Sequence, residues 1–160
     1  MKKLVIVCLI FVIVPGIVKA QADYNTGIGV RAAPSAGLTV KHFLSERAAI
    51  EGIFSTRWGG ITITPLYEIH QTAFETTSFN FYYGIGGHLG IWDDPDDPPW
   101  FDETADAYIA VGADGIIGLE YTFEEIPFNI SIDWKPALNI VPDVDLWLEE
   151  VGLSVRFTIR

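Results

Sequence analysis

The sequence has one cysteine, Cys8, and it lies in an apolar stretch at the N-terminus. Lys2 and Lys3 precede an apolar run from Leu4 to Val18, and Val18-Lys19-Ala20 has the small-residue character of a signal-peptide cleavage site. The run is about 15 residues long, short of the roughly 20 that a spanning helix needs. Cleavage after Ala20 is therefore expected, with 1–20 a signal peptide and 21–160 the mature domain; a retained anchor is the alternative. A lipid-modified cysteine would sit at the cleavage site, and Cys8 does not. The mature chain then has no cysteine, which excludes disulfides and thiol chemistry and leaves stability to other means.

Basic residues are also scarce. Ten Lys and Arg stand against 21 Asp and Glu, a net charge of −11. Removing Lys2, Lys3 and Lys19 leaves seven basic residues against the same 21 acidic ones, a net of −14. Such a chain does not bind nucleic acid by counterion release. No later apolar run approaches the length of a transmembrane helix. Helical periodicity is missing as well, and so are GxSxG, HExxH and phosphate-loop motifs.

What is present is alternation. At the chain's end Val151, Leu153, Val155, Phe157 and Ile159 fall on one face, and Glu150, Gly152, Ser154, Arg156 and Thr158 on the other. That is the period of a β-strand. Seven earlier segments repeat it, at about 25–33, 36–44, 48–58, 61–72, 78–92, 107–123 and 128–138. Pro34-Ser35 and Gly59-Gly60 supply turn signals. Pro65 removes a ladder donor and predicts a local bulge. Residues 93–106 (DDPDDPPWFDETAD) and 139–145 read as loops. Eight strands with turns between them suggest a sandwich or a closed barrel. Their lengths suit tilted spanning strands better than a soluble sheet.

The polar faces collect Arg31, Lys41, Arg57, Lys135 and Arg156 with Glu51, Glu68, Asp114, Glu120, Asp133 and Glu150. The same faces carry Gly27, Gly29, Gly84, Gly86, Gly90, Gly112 and Gly118. Paired charges among small residues are what a narrow barrel lumen requires, because side chains must fill it and buried charges need partners. The opposite faces are nearly free of charge. Trp58, Trp92, Trp134 and Trp147 are expected toward one end, and Tyr24, Phe79, Phe81, Tyr121, Phe123, Phe128 and Phe157 toward the other, as two aromatic belts flanking an aliphatic band. The bland alternative is that these rings form a sandwich core. With both termini at one end, the two longer loops fall together at the opposite end, the expected outer surface.

The last strand, Glu150-Val151-Gly152-Leu153-Ser154-Val155-Arg156-Phe157, resembles the terminal signal of bacterial outer-membrane barrels, although the chain continues with Thr158-Ile159-Arg160. With the alternation before it, the whole mature chain resembles the small eight-stranded outer-membrane β-barrel proteins of the OmpA/OmpX-like kind. The run from Gly115 to Pro127, with Asp133-Trp134-Lys135-Pro136, is similar to uncharacterised outer-membrane proteins of Bacteroidetes-like bacteria. The resemblance implies an all-β, eight-stranded antiparallel up-and-down transmembrane barrel in the outer membrane, in contact with the lipid bilayer and lipopolysaccharide, inserted by the outer-membrane assembly machinery, and monomeric. It implies no known activity.

The candidate chemistry is thin. His42, His70 and His88 lack metal-ligand spacing. His70 and His88 project into the proposed lumen with Glu68, where a metal or acid–base site is conceivable, but satisfied lumen histidines are the expectation. His42 and Ser45 are the nearest imitation of a deacylase nucleophile pair, yet residues three apart on a strand face opposite ways. Asp93, Asp94, Asp96 and Asp97 offer hard oxygens to Ca²⁺ without regular ligand spacing, so weak or no binding is expected. Trp100-Phe101 is a candidate surface contact. No catalytic, cofactor-binding or metal residue is assigned and no cofactor is expected. The functional expectation is a non-enzymatic outer-membrane barrel with a side-chain-filled lumen, serving envelope structure or surface interaction through its outer loops. The alternative is a soluble periplasmic or secreted lipocalin-like barrel that binds a small apolar ligand in an apolar interior; an enzyme ranks third.

Overall fold

The computed structural model describes residues 24–74, 76, 78–92, 108–142 and 144–160. The expected signal peptide with Cys8, the acidic loop 93–106 with its aspartates, and Trp100-Phe101 lie outside the described residues. The strands are β1 Thr26–Ala32, β2 Ala36–Phe43, β3 Ala48–Arg57, β4 Gly60–Thr72, β5 Phe79–Trp92, β6 Tyr108–Thr122, β7 Phe128–Trp134, β8 Ala137–Val141, β9 Asp145–Trp147 and β10 Val151–Ile159. Each of β1 to β6 pairs antiparallel with the next. β7 and β8 both pair with β6, along its later and earlier halves, so they are one stave broken at Lys135-Pro136. β9 pairs with β8 and β10 with β7, so they too form one stave. The pairing of β10 with β1 closes the wall. The result is an all-β, closed, eight-stranded antiparallel barrel.

Local chemistry explains the corners. Trp58 and Gly59 both take positive φ, 50° and 73°. That is the backbone signature of the tight hairpin turns whose twist matches the flanking strands. Ser45 Oγ accepts from the Ala48 amide at 3.1 Å and tightens the β2–β3 turn.

Two expectations about the wall are corrected. Pro65 causes no bulge. Its register with Gly52 is the register of the whole β3–β4 ladder, and Ile63↔Leu89 and Leu66↔Gly86 flank it on β5 without a shift. Pro65 points outward while Thr64 and Leu66 stay buried, so the pleat runs through it. The one register shift on β6 falls against β8, between Val111 and Gly112. Residues 139–145 are mostly strand rather than loop. Asn139–Val141 continues β8 and Asp145–Trp147 forms β9. Alternation persists there, with Asn139 inward and Leu138 and Ile140 outward, under a composition of Pro, Asn and Asp that reads as a turn.

The distribution of side chains is inverted relative to a water-soluble domain. Among the largest fully buried side chains are Arg31, Arg156, Lys41, Glu51, Glu68 and Glu120. The inward apolar cluster is small: Ile53, Leu66, Tyr82 and Ile116. Outward, aliphatic side chains stand open on every stave, for example Val30 at 58% and Ile85 at 73% exposure. An eight-stranded barrel has an interior just wide enough for side chains to fill.

Candidate functional site

The lumen is the site, and it holds two ion-pair networks. The first lies in the half nearer the chain termini. Arg156 on β10 pairs with Glu51 on β3, and its other nitrogens donate to Ser131 at 2.7 Å, Thr39 at 3.2 Å and Asn129 at 3.4 Å. Thr39 in turn donates to Glu51. Lys41 on β2 stands 3.1 Å from Glu51, 2.8 Å from Glu68 and 3.4 Å from Glu120. His70 sits between two of these carboxylates, Nε2 at 2.9 Å from Glu68 and Nδ1 at 3.3 Å from Glu120. Tyr24 closes this end, its hydroxyl 3.4 Å from Glu120 and its ring edge-on to Phe43.

The second network lies toward the opposite end. Arg31 Nη1 meets Asp133 at 2.7 Å, and Arg31 Nη2 approaches Glu150 at 3.6 Å. Lys135 bridges Asp114 at 3.0 Å and Glu150 at 3.3 Å. His88 is held between Asp114 at 2.7 Å and Asn139 at 2.8 Å. Tyr82 touches both networks. Its hydroxyl donates to Asp133 at 3.0 Å, its ring stacks on His70 at 5.1 Å, and Lys41 Nζ lies 3.9 Å from the ring centre.

Aromatic rings close the mouth at this second end. Trp92, the last residue of β5, is 6% exposed and folds inward, its indole donating to the Arg57 carbonyl at 3.1 Å. A Cβ on Gly60 or Gly90 would collide with that ring, so both glycines are the space it occupies. Trp58 and Trp147 meet edge to face at 5.8 Å, and the Arg57 guanidinium lies 3.6 Å over Trp58. A cavity of about 80 Å³ remains between these rings, Lys135 and Glu150.

Ten of the eleven charged residues expected inward from alternation join the two networks, while Arg57 stands at the mouth over the Trp58 ring. The aromatic belts are corrected in part. Trp92 and Tyr24 are inward, and Trp58 and Trp147 stack at the mouth, whereas Trp134 is outward and 41% exposed. The signal for Trp92 was its phase, since it alternates with His88 and Gly90 rather than with Leu89 and Ile91. At the terminal end the other belt holds, with Phe79 against Tyr121, Tyr121 against Phe123, and Phe128 against Phe157. Asn139 lies in a stretch whose composition reads as a turn, and the mouth role of Arg57 depends on which staves meet across the barrel.

His88 is satisfied at both ring nitrogens by Asp114 and Asn139, whereas His70 is bonded only through Nε2 to Glu68 and its buried Nδ1 has no hydrogen-bond partner, so the expectation of satisfied histidines holds for His88 and in part for His70. His42 is outward beside Thr26 at 2.8 Å, and Ser45 caps its turn, so the two share no site. Among the described residues no three His, Asp or Glu side chains converge as a metal-binding set.

No protein-family model matches the sequence, and no curated protein matches it. The fold has a solved counterpart in the N-terminal β-barrel domain of Pseudomonas aeruginosa OprF. The two share 13% sequence identity and a TM-score of 0.63, over 86% of this chain and 97% of that domain. In fold, this chain is similar to that eight-stranded β-barrel domain.

Proposed function

We propose that this chain is an integral outer-membrane β-barrel, non-enzymatic and monomeric, whose lumen is closed by its own side chains. It serves envelope structure or surface contact through the loops at the mouth end. The inverted burial carries this reading. A wall that is aliphatic outside and charged inside matches a bilayer as solvent, whereas apolar exposure on this scale in water marks an interaction surface or an aggregation hazard. The lipocalin-like alternative requires the apolar face to point inward, and the barrel turns it outward. On this reading the bilayer and lipopolysaccharide contact the aliphatic band, and the terminal strand doubles as the signal for the outer-membrane assembly machinery.

The filled lumen argues against a pore, because Arg156, Lys41 and Trp92 occupy its cross-section. Cell fractionation tests the address: the protein should follow the outer membrane and show heat-modifiable gel mobility in detergent. Recovery in the soluble fraction without detergent would reject it. Robust ion conduction by the purified protein in planar bilayers would reject the closed lumen.

A further inference from the structure

The mouth of the barrel holds two charges that the lumen networks leave over. Most polar groups around its cavity are matched: Lys135 bridges Asp114 and Glu150, and His88 sits between Asp114 and Asn139. Arg57, the last residue of β3, and Glu149, between β9 and β10, are different. Both line the cavity, and among the described residues neither lies within ion-pair distance of an opposite charge. Glu150 and Glu149 act on Arg57 through space without closing to a pair. The Arg57 guanidinium lies over the Trp58 ring at 3.6 Å. Such stacking covers one face of the planar group and leaves its in-plane N–H donors for a carboxylate. Glu149 is exposed. Trp92, Trp147 and Ala137 supply apolar wall to the same space.

We propose that this cavity binds a free α-amino acid with a small aliphatic side chain. The α-carboxylate pairs with the Arg57 fork, the α-ammonium pairs with Glu149, and the side chain enters the space beside Trp92, Trp147 and Ala137. A guanidinium that takes a carboxylate through two parallel bonds makes the strong form of such a contact. Apolar and aromatic walls with a few polar groups that fix orientation are the usual make-up of a small-molecule site. Size sets the side chain. A dry cavity of about 150 Å³ takes benzene, so one of about 80 Å³ holds roughly three carbons, the side chain of valine. An amino acid brings one charge of each sign and covers both loose charges at once, whereas a simple amine or a simple carboxylate leaves one of them uncovered. The ligand is held at the mouth and not passed through, because Arg31 with Asp133 and Lys135 with Asp114 fill the lumen beneath it. The site does not depend on where the protein resides in the cell, so fractionation and the following test fail independently.

The test is titration of the full chain in detergent with L-valine, followed by calorimetry and by tryptophan fluorescence, to which Trp58, Trp92 and Trp147 at the cavity contribute. Two probes each lack one charge: 3-methylbutanoate has no ammonium, and 2-methylpropylamine has no carboxylate. L-Valine should bind at least about tenfold more tightly than either, the worth of one hydrogen bond to a charged group. L-Tryptophan, whose side chain exceeds the cavity, should not bind. Arg57→Gln should weaken L-valine to the level of 2-methylpropylamine and leave that amine unchanged. Glu149→Gln should weaken L-valine to the level of 3-methylbutanoate and leave that carboxylate unchanged. Heat-modifiable mobility checks that both variants fold; if one does not, the comparison of probes on the wild type decides alone. No binding of L-valine at millimolar concentration overturns the proposal. So does equal affinity for L-valine and for L-tryptophan or a one-charge probe, and so do folded variants that bind L-valine as the wild type does.

Discussion

Arg156 and Glu51 are three staves apart around the wall, yet they form an ion pair across the lumen with both side chains fully buried. The pair ties the closing strand to the first half of the barrel. Arg156→Ala leaves Glu51 with Lys41 and the Thr39 hydroxyl as its partners, and removal of one partner of a buried pair costs about 3–5 kcal/mol. Denaturant unfolding in detergent should show a loss of that order. Exchanging the two, Arg156→Glu with Glu51→Arg, should recover part of it.

Gly29 and Gly52 make a matched pair of controls. A Cβ on Gly29 would run into the backbone of Val155 and Arg156, which cannot move without opening the β1–β10 seam; a Cβ on Gly52 meets nothing within 4 Å. Gly29→Ala should therefore lower the yield of folded barrel sharply, and Gly52→Ala should leave it unchanged. Heat-modifiable mobility of refolded protein separates the two.

Trp92 fills the mouth from inside. Trp92→Ala removes a buried indole and its bond to the Arg57 carbonyl, at a cost of about 3–5 kcal/mol typical of such truncations. It should also admit water to the second network, visible as faster backbone hydrogen exchange at Lys135 and Asn139 while the terminal end stays protected.

On the outward face, Val155→Arg places a charge in the middle of the aliphatic band. In a bilayer that costs about 2–4 kcal/mol near the midplane and less near the interfaces. The variant should fold into vesicles less stably than one with the same change at Ile159, near the strand end. Equal effects at the two positions would count against a spanning barrel.

How much of this was legible in the sequence can be judged from particular residues. The face of every charged lumen residue followed from alternation, because successive side chains on a strand point opposite ways whatever the strand pairs with. Trp92 shows the limit of residue type as a guide: its phase placed it inside, and its chemistry suggested a belt outside. Asn139 shows the limit of composition, since a strand ran through a stretch that looked like a turn.

The sequence by itself determined eight alternating staves, two chemically opposite faces, and therefore the barrel class, because these depend on local backbone geometry. Only the tertiary structure decided that Arg156 meets Glu51, that His70 lies between Glu68 and Glu120, and that Trp92 closes the mouth. Those contacts join residues far apart in the chain, and they exist only once closure between β1 and β10 sets which staves face each other and at what height.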